Sequence, residues 1–161
     1  MFLISSCRYS ASFDSEFYCK ELKLNCIRNN KIVFFKTSKG DIEVQLFAET
    51  NPVTVSNFIE NIKKDIYKNK KIYRVVNYAQ IQLIQSGSYS GNDEFKEENK
   101  KSHYLAQTIP LEIKLKKETE PRYKFQFEDP SMLNRLENVF KKGSIAMVKN
   151  GQLNSSSTEF F

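Results

Sequence analysis

The chain is short of most residues that catalytic sites are built from. It has one histidine, His103, set in the polar run Lys100-Lys101-Ser102-His103-Tyr104. A lone histidine cannot form a His-pair metal site, and nothing in the sequence frames it as part of a serine triad. Tryptophan is absent, glycine occurs 5 times and proline 4 times. So little Gly and Pro excludes collagen-like and Pro/Gly-rich disordered chains. No glycine-rich phosphate loop is present. No apolar run approaches the ~18 residues of a membrane-spanning helix. Negative charge is the scarcer sign, 19 Asp and Glu against 25 Lys and Arg, for a formal net charge of +6.

What remains is an ordinary globular chain. Its 161 residues are 40% hydrophobic and 27% charged, and that length predicts one domain with a real core. The basic balance invites a nucleic-acid reading, but lysine outnumbers arginine 20 to 5 and there are 14 asparagines. That bias resembles AT-rich codon usage, whereas nucleic-acid readers lean on arginine. Lysines are interleaved with acids, as in Glu94-Phe95-Lys96-Glu97-Glu98. A solvated basic surface is expected, with no nucleic-acid partner. The three cysteines, Cys7, Cys19 and Cys26, lack the paired spacing of a zinc site. Cys19 and Cys26 are spaced to close a small loop in an oxidising compartment. Ile4-Ser5-Ser6-Cys7 is similar to a bacterial lipobox, which would put a lipid anchor at Cys7; a frayed, meaningless N-terminus is the competing reading. Cytoplasmic and extracytoplasmic locations both stay open.

Residues 1–30 have no clean period and read as a tail, or the remnant of a signal segment, with one pinned loop. Ile32 to Thr37 is β-branched and aromatic, hence a strand. Ser38-Lys39-Gly40-Asp41 is a turn, and Ile42, Val44 and Leu46 then alternate on one face of a second strand. Asn51-Pro52 opens a helix, with Asn51 accepting from the first free amides. Val55, Phe58, Ile59, Ile62 and Ile66 form its apolar stripe. Ile72-Tyr73-Arg74-Val75-Val76 is a strand that sets Arg74 among apolar neighbours. Such a charge needs a partner or a cleft, unless it snorkels to water at an edge. Ile81 to Gln85 is expected to pair with it antiparallel. Residues 88–108 read as a polar surface excursion. Ile109 to Leu115 alternates, with Pro110 confining it to an edge or a strand start. Asp129-Pro130 opens a second expected helix, with Met132, Leu133, Leu136, Val139 and Phe140 apolar and Gly143 as its stop. Ser144 to Val148 is a further strand, and Phe160-Phe161 reads as the start of another.

Five of these pieces resemble, in order, the cyclophilin-type peptidyl-prolyl isomerases. They are the hairpin Thr37-Ser38-Lys39-Gly40-Asp41-Ile42-Glu43-Val44; the helix Pro52-Val53-Thr54-Val55-Ser56-Asn57-Phe58; the strand pair Tyr73-Arg74-Val75-Val76 and Ile84-Gln85-Ser86-Gly87; Ile109-Pro110-Leu111-Glu112-Ile113; and Gly143-Ser144-Ile145-Ala146-Met147-Val148 with Ser157-Thr158-Glu159-Phe160-Phe161. The resemblance runs from about Ile32 to Phe161. It implies a mainly β fold: a cyclophilin-like antiparallel β-barrel capped by two helices over residues 31–161. In the family the chain continues past the strand that Phe160-Phe161 begins, so the domain is expected to be incomplete, its last strands missing. The chain departs from the family at Tyr73, where the pattern has His, at Ser86, where it has Gly, and at Glu159, where it has Gln. The stretch Asn77 to Leu83 also differs.

The resemblance carries the site as well. Arg74 matches the catalytic arginine and Gln85 the residue that holds the substrate backbone. Leu83, Met147 and Phe161 match apolar walls, and Val148 and Glu159 complete the substrate-binding set. The implied activity is prolyl cis–trans isomerisation in proline-containing peptides or unfolded proteins, by a monomer, with no cofactor. The alternative is a cyclophilin-like module, or an inactive remnant, that binds peptides without turnover.

Overall fold

Asp14 starts an element that the residue pattern does not announce. In the computed structural model, which describes residues 14–87 and 107–161, the Asp14 carboxylate accepts from the Phe17 amide at 2.9 Å and caps helix α1 (Ser15–Glu21). Tyr18 and Cys19 are buried against Val53 and Ile109, and Cys19 is disulfide-bonded to Cys26 across a Cα separation of 5.5 Å. The tail expected up to residue 30 is thus replaced, from residue 15, by a docked helix. Two turns are too few to show a period, and a helix this short depends on its tertiary contacts. Cys7, His103 and most of the 88–108 excursion lie outside the described residues.

Strands β1 (Lys31–Thr37) and β2 (Gly40–Leu46) pair antiparallel in the register Lys31↔Leu46 to Thr37↔Gly40. Val33, Phe35, Ile42, Val44 and Leu46 share one face by alternation. Leu46 is fully buried there and Val33, Phe35 and Val44 pack beside it. Ile32 and Phe34, on the other face, are exposed.

Helix α2 (Pro52–Lys63) crosses between two apolar clusters. Val53 joins the one around Tyr18 and Cys19; Val55 and Phe58 join the one around Leu46 and Ala48. Two expectations change here. Asn51 makes no side-chain cap; the carboxylate of Glu112 takes that role, accepting from Val53 N at 3.1 Å and Thr54 N at 2.8 Å. The helix also ends at Lys63 rather than running to Ile66. Asp65 adopts φ 57, and the Ile66 amide closes back on Asn61 O, a left-handed helix stop.

Strands β3 (Arg74–Asn77) and β4 (Gln82–Gln85) form a second antiparallel pair, and β5 (Glu112–Ile113) and β6 (Arg122–Tyr123) a third. The fold is mainly β, and among the described residues no closed barrel is traced. The second expected helix is a 3-10 helix, Pro130–Arg135, with no buried residue. A competing ladder stops it: Lys116 N donates to Arg135 O and Glu137 N to Lys114 O, with Leu115 bridged to Leu136. Leu136 is therefore extended, and Val139 and Phe140 are exposed.

Candidate functional site

The register of four chain segments assembles the site. Arg74 lies opposite Gln85 across β3 and β4. Ser86 bridges Phe160, each amide donating to the other's carbonyl at 3.0 Å, and Phe160 in turn bridges Met147. Ala146 and Phe161 exchange amide bonds of 3.0 and 2.9 Å, and Val148 N donates to Glu159 O at 2.8 Å. The antiparallel pairing sums therefore align one transverse row: Arg74, Gln85, Phe161, Ala146. Strand alternation places Leu83, Glu159 and Val148 on the same face as that row.

Met147 is the exception among the expected site residues. It pairs with Phe160, so alternation turns both to the opposite face, where both pack on the cluster around Phe58. Phe160 is the anchor there. Its ring centroid lies 5.4 Å from that of Phe35, 5.7 Å from Phe58 and 5.5 Å from Tyr67. Burying Phe160 on one side fixes which way Glu159 and Phe161 face on the other.

Within the row, Arg74 Nη1 donates to Gln85 Oε1 at 3.2 Å. The Gln85 side chain is buried and Arg74 is exposed. Among the described residues no carboxylate pairs with Arg74. The guanidinium is thus oriented by a neutral amide, with donors left for a ligand. Next to it, Tyr73 Oη donates to Glu159 Oε1 at 2.6 Å.

Gly87 allows the close approach that carries this face. A Cβ there would sit 2.5 Å from Thr158 O, and its φ of +112 already favours glycine. Ser86, where the family pattern has glycine, fits without strain: its Oγ donates to Lys71 O at 3.1 Å. Behind the row, α2 holds the segment that leads into it. Asn57 Nδ2 and Asn61 Nδ2 both donate to Ser157 O, at 2.9 and 3.3 Å. The Glu112 carboxylate that caps α2 also accepts from Tyr123 Oη at 2.6 Å. Burial pushes its pKa upward against the hydrogen bonds of Tyr123 and Thr54. Three donors, Val53 N, Thr54 N and Tyr123 Oη, converge on it and offset part of that burial effect.

Residue reasoning missed Tyr73–Glu159, the two asparagines, and Phe140, whose ring lies 5.9 Å from that of Phe161. Asn57 carried a readable signal, a polar residue on the buried stripe of a helix. A broad groove of about 2160 Å3 runs along the β3–β4 pair, lined by Phe35, Val75, Leu83, Ile84, Phe160 and Phe161 among others. Arg74 and Gln85 do not line it, but Leu83 and Phe161 do, so the groove meets the row at its apolar residues. Among the described residues no cluster of three His, Cys, Asp or Glu side chains could hold a metal ion, and no helix is long and apolar enough to cross a membrane.

Residues 32–161 match the family model described as cyclophilin type peptidyl-prolyl cis-trans isomerase/CLD, and the chain belongs to that family. It is 37% identical over 51 residues to peptidyl-prolyl cis-trans isomerase B of Escherichia coli (strain K12), a stretch covering 32% of this chain and 31% of that protein. The chain thus matches about a third of the length of this curated relative.

Proposed function

We propose that the chain is a peptidyl-prolyl cis–trans isomerase acting on proline-containing peptides and unfolded chains. The observation that carries this is the row Arg74–Gln85–Phe161, in which a neutral amide aims an exposed guanidinium beside an aromatic ring. The three strand pairs read as arcs of the family's antiparallel barrel, with α2 as one cap.

Rotation about a prolyl bond faces a barrier of ~18–20 kcal/mol from amide resonance. No covalent step is required; the site has only to bind the twisted amide better than either planar form. In the twisted state the prolyl nitrogen becomes pyramidal and regains a lone pair. A guanidinium N–H directed at that nitrogen stabilises this state alone. Gln85 serves twice in this reading: its Oε1 orients Arg74 and its amide group holds the substrate backbone. Phe161, Leu83 and Val148 offer apolar surface to the ring. Met147 works from beneath by seating Phe160.

The experiment is cis-to-trans exchange of an Xaa-Pro peptide measured by NMR with the full chain. Acceleration that Arg74→Ala abolishes supports the reading. Peptide binding without acceleration would make the chain a non-catalytic module instead.

A further inference from the structure

We propose that Glu159, held in place by Tyr73, makes this face select peptides with a lysine or arginine beside the proline. The inference rests on the face being the peptide-binding surface proposed above.

Three observations lead to it. The first is placement. Glu159 stands two residues before Phe161 in the segment bridged through Phe160, and alternation from Phe161 puts it on the side of Arg74 and Gln85. Two residues of strand span about 6.5 Å. A proline ring against Phe161 therefore leaves Glu159 within reach of a neighbouring side chain on an extended peptide. Lysine and arginine have stems long enough to cover apolar surface while their heads reach the carboxylate.

The second is orientation. The Tyr73 hydroxyl donates to Oε1 at 2.6 Å, which restricts the carboxylate to one position. Immobilising it in advance removes part of the side-chain entropy that an ion pair otherwise costs.

The third is surplus charge. An uncharged amide oxygen could also accept the Tyr73 hydroxyl, though less strongly, so that bond does not require an anion. Among the described residues no Lys or Arg forms an ion pair with Glu159. Arg74, the cation of the row, bonds Gln85 and not Glu159. Glu159 is half-buried as a residue, but its carboxylate bonds Tyr73 at the exposed surface, where a peptide and salt both reach it. The overall charge of +6 works against cationic ligands only at distances that salt screens.

The test uses three short peptides that carry Lys-Pro-Lys, Ala-Pro-Ala or Glu-Pro-Glu at their centre. NMR titration of the full chain reads affinity, and exchange spectroscopy on the same samples reads isomerisation. The Lys peptide is expected to bind about three- to five-fold more tightly than the Ala peptide, and the Glu peptide more weakly than either. Glu159→Gln keeps an acceptor for Tyr73 and should equalise the three. Tyr73→Phe keeps the charge but frees it, and should reduce the Lys preference while leaving its sign. About 1 M salt, where the screening length is ~3 Å, should collapse the preference in the parent chain without any mutation. Equal affinities in the parent overturn the inference even if all three peptides are isomerised. A Lys preference that survives Glu159→Gln overturns it too. Preference without isomerisation supports the selective face and refutes the isomerase reading. A chain that neither binds nor isomerises any peptide refutes both.

Discussion

Replacing Arg74 separates a catalytic arginine from a structural one, because the two roles predict different losses. Arg74 is exposed and its bond within the described residues is a 3.2 Å contact to the amide of Gln85. No carboxylate pairs with it there, so no buried charge is stranded when it goes. The stability cost of Arg74→Ala should therefore be about 1 kcal/mol or less, the range of a single modest hydrogen bond. The rate cost should be larger. Removing a donor aimed at charge that develops only in the transition state costs ~2.7–4 kcal/mol, or ~10²–10³ in rate. Arg74→Lys should not restore the rate, since lysine lacks the planar fork that can bond Gln85 and the prolyl nitrogen together. The assay is exchange of an Ala-Pro peptide, with urea unfolding of each variant in parallel. Three chains that accelerate exchange equally while unfolding alike would refute the mechanism. A loss of rate matched by a loss of fold would refute the premise that Arg74 carries no structural weight.

Other sites make independent predictions. Gly87→Ala should lower stability by about 1–3 kcal/mol in urea unfolding and abolish peptide binding, because its Cβ would sit 2.5 Å from Thr158 O; a neutral outcome would contradict the close approach. Cys19→Ser should cost about 2–3 kcal/mol under oxidising conditions, from the loop of sequence separation 7 that the disulfide closes. With reductant present the gap should shrink to the cost of placing a hydroxyl in the apolar cluster around Cys19. Burial raises the Glu112 pKa in the folded state, so that state holds the proton more tightly than the unfolded chain. The resulting stability is fully present below the unfolded pKa and is lost as pH rises through the folded one. Thermal melts of Glu112→Gln against pH should lack this downward slope. A parent whose slope matches the variant's would show that Glu112 does not titrate in this way.

Much of the architecture was legible because it is local. The β1–β2 register follows from two alternating runs and one short turn, and the start of α2 follows from Asn51-Pro52. Arg74 drew notice as a charge among apolar neighbours on a strand. The failures all concern competition from elsewhere in the chain. Asn51 has the residue type of a cap, yet Glu112, 61 positions away from Asn51 along the chain, supplies the acceptor oxygens and wins the site. Leu136 to Phe140 has helical spacing, but the 114–116 segment bridges Leu136 and holds it extended. Met147 was grouped with Phe161 by resemblance; only the Phe160 bridge shows that the two face opposite sides. Site residues met across strands are invisible to periodicity, since a period describes one segment and a row needs four.

The departures from the family pattern are better read together than one at a time. In isolation, tyrosine for histidine at 73, serine for glycine at 86 and glutamate for glutamine at 159 look like unrelated erosion. The structure couples the first and third through one 2.6 Å bond. It gives Ser86 its own partner in Lys71 O. Gly87, where a side chain would collide with backbone, remains glycine. Random loss would not distinguish Ser86 from Gly87. Arg74, Gln85 and Phe161, which the proposed chemistry needs, sit in the row these substitutions surround. The changes thus alter the charge and shape of the rim and leave the central donor and ring in place. That is the pattern expected when a binding face is retuned for a different peptide, since specificity can move at the periphery while the group that stabilises the twisted amide stays fixed.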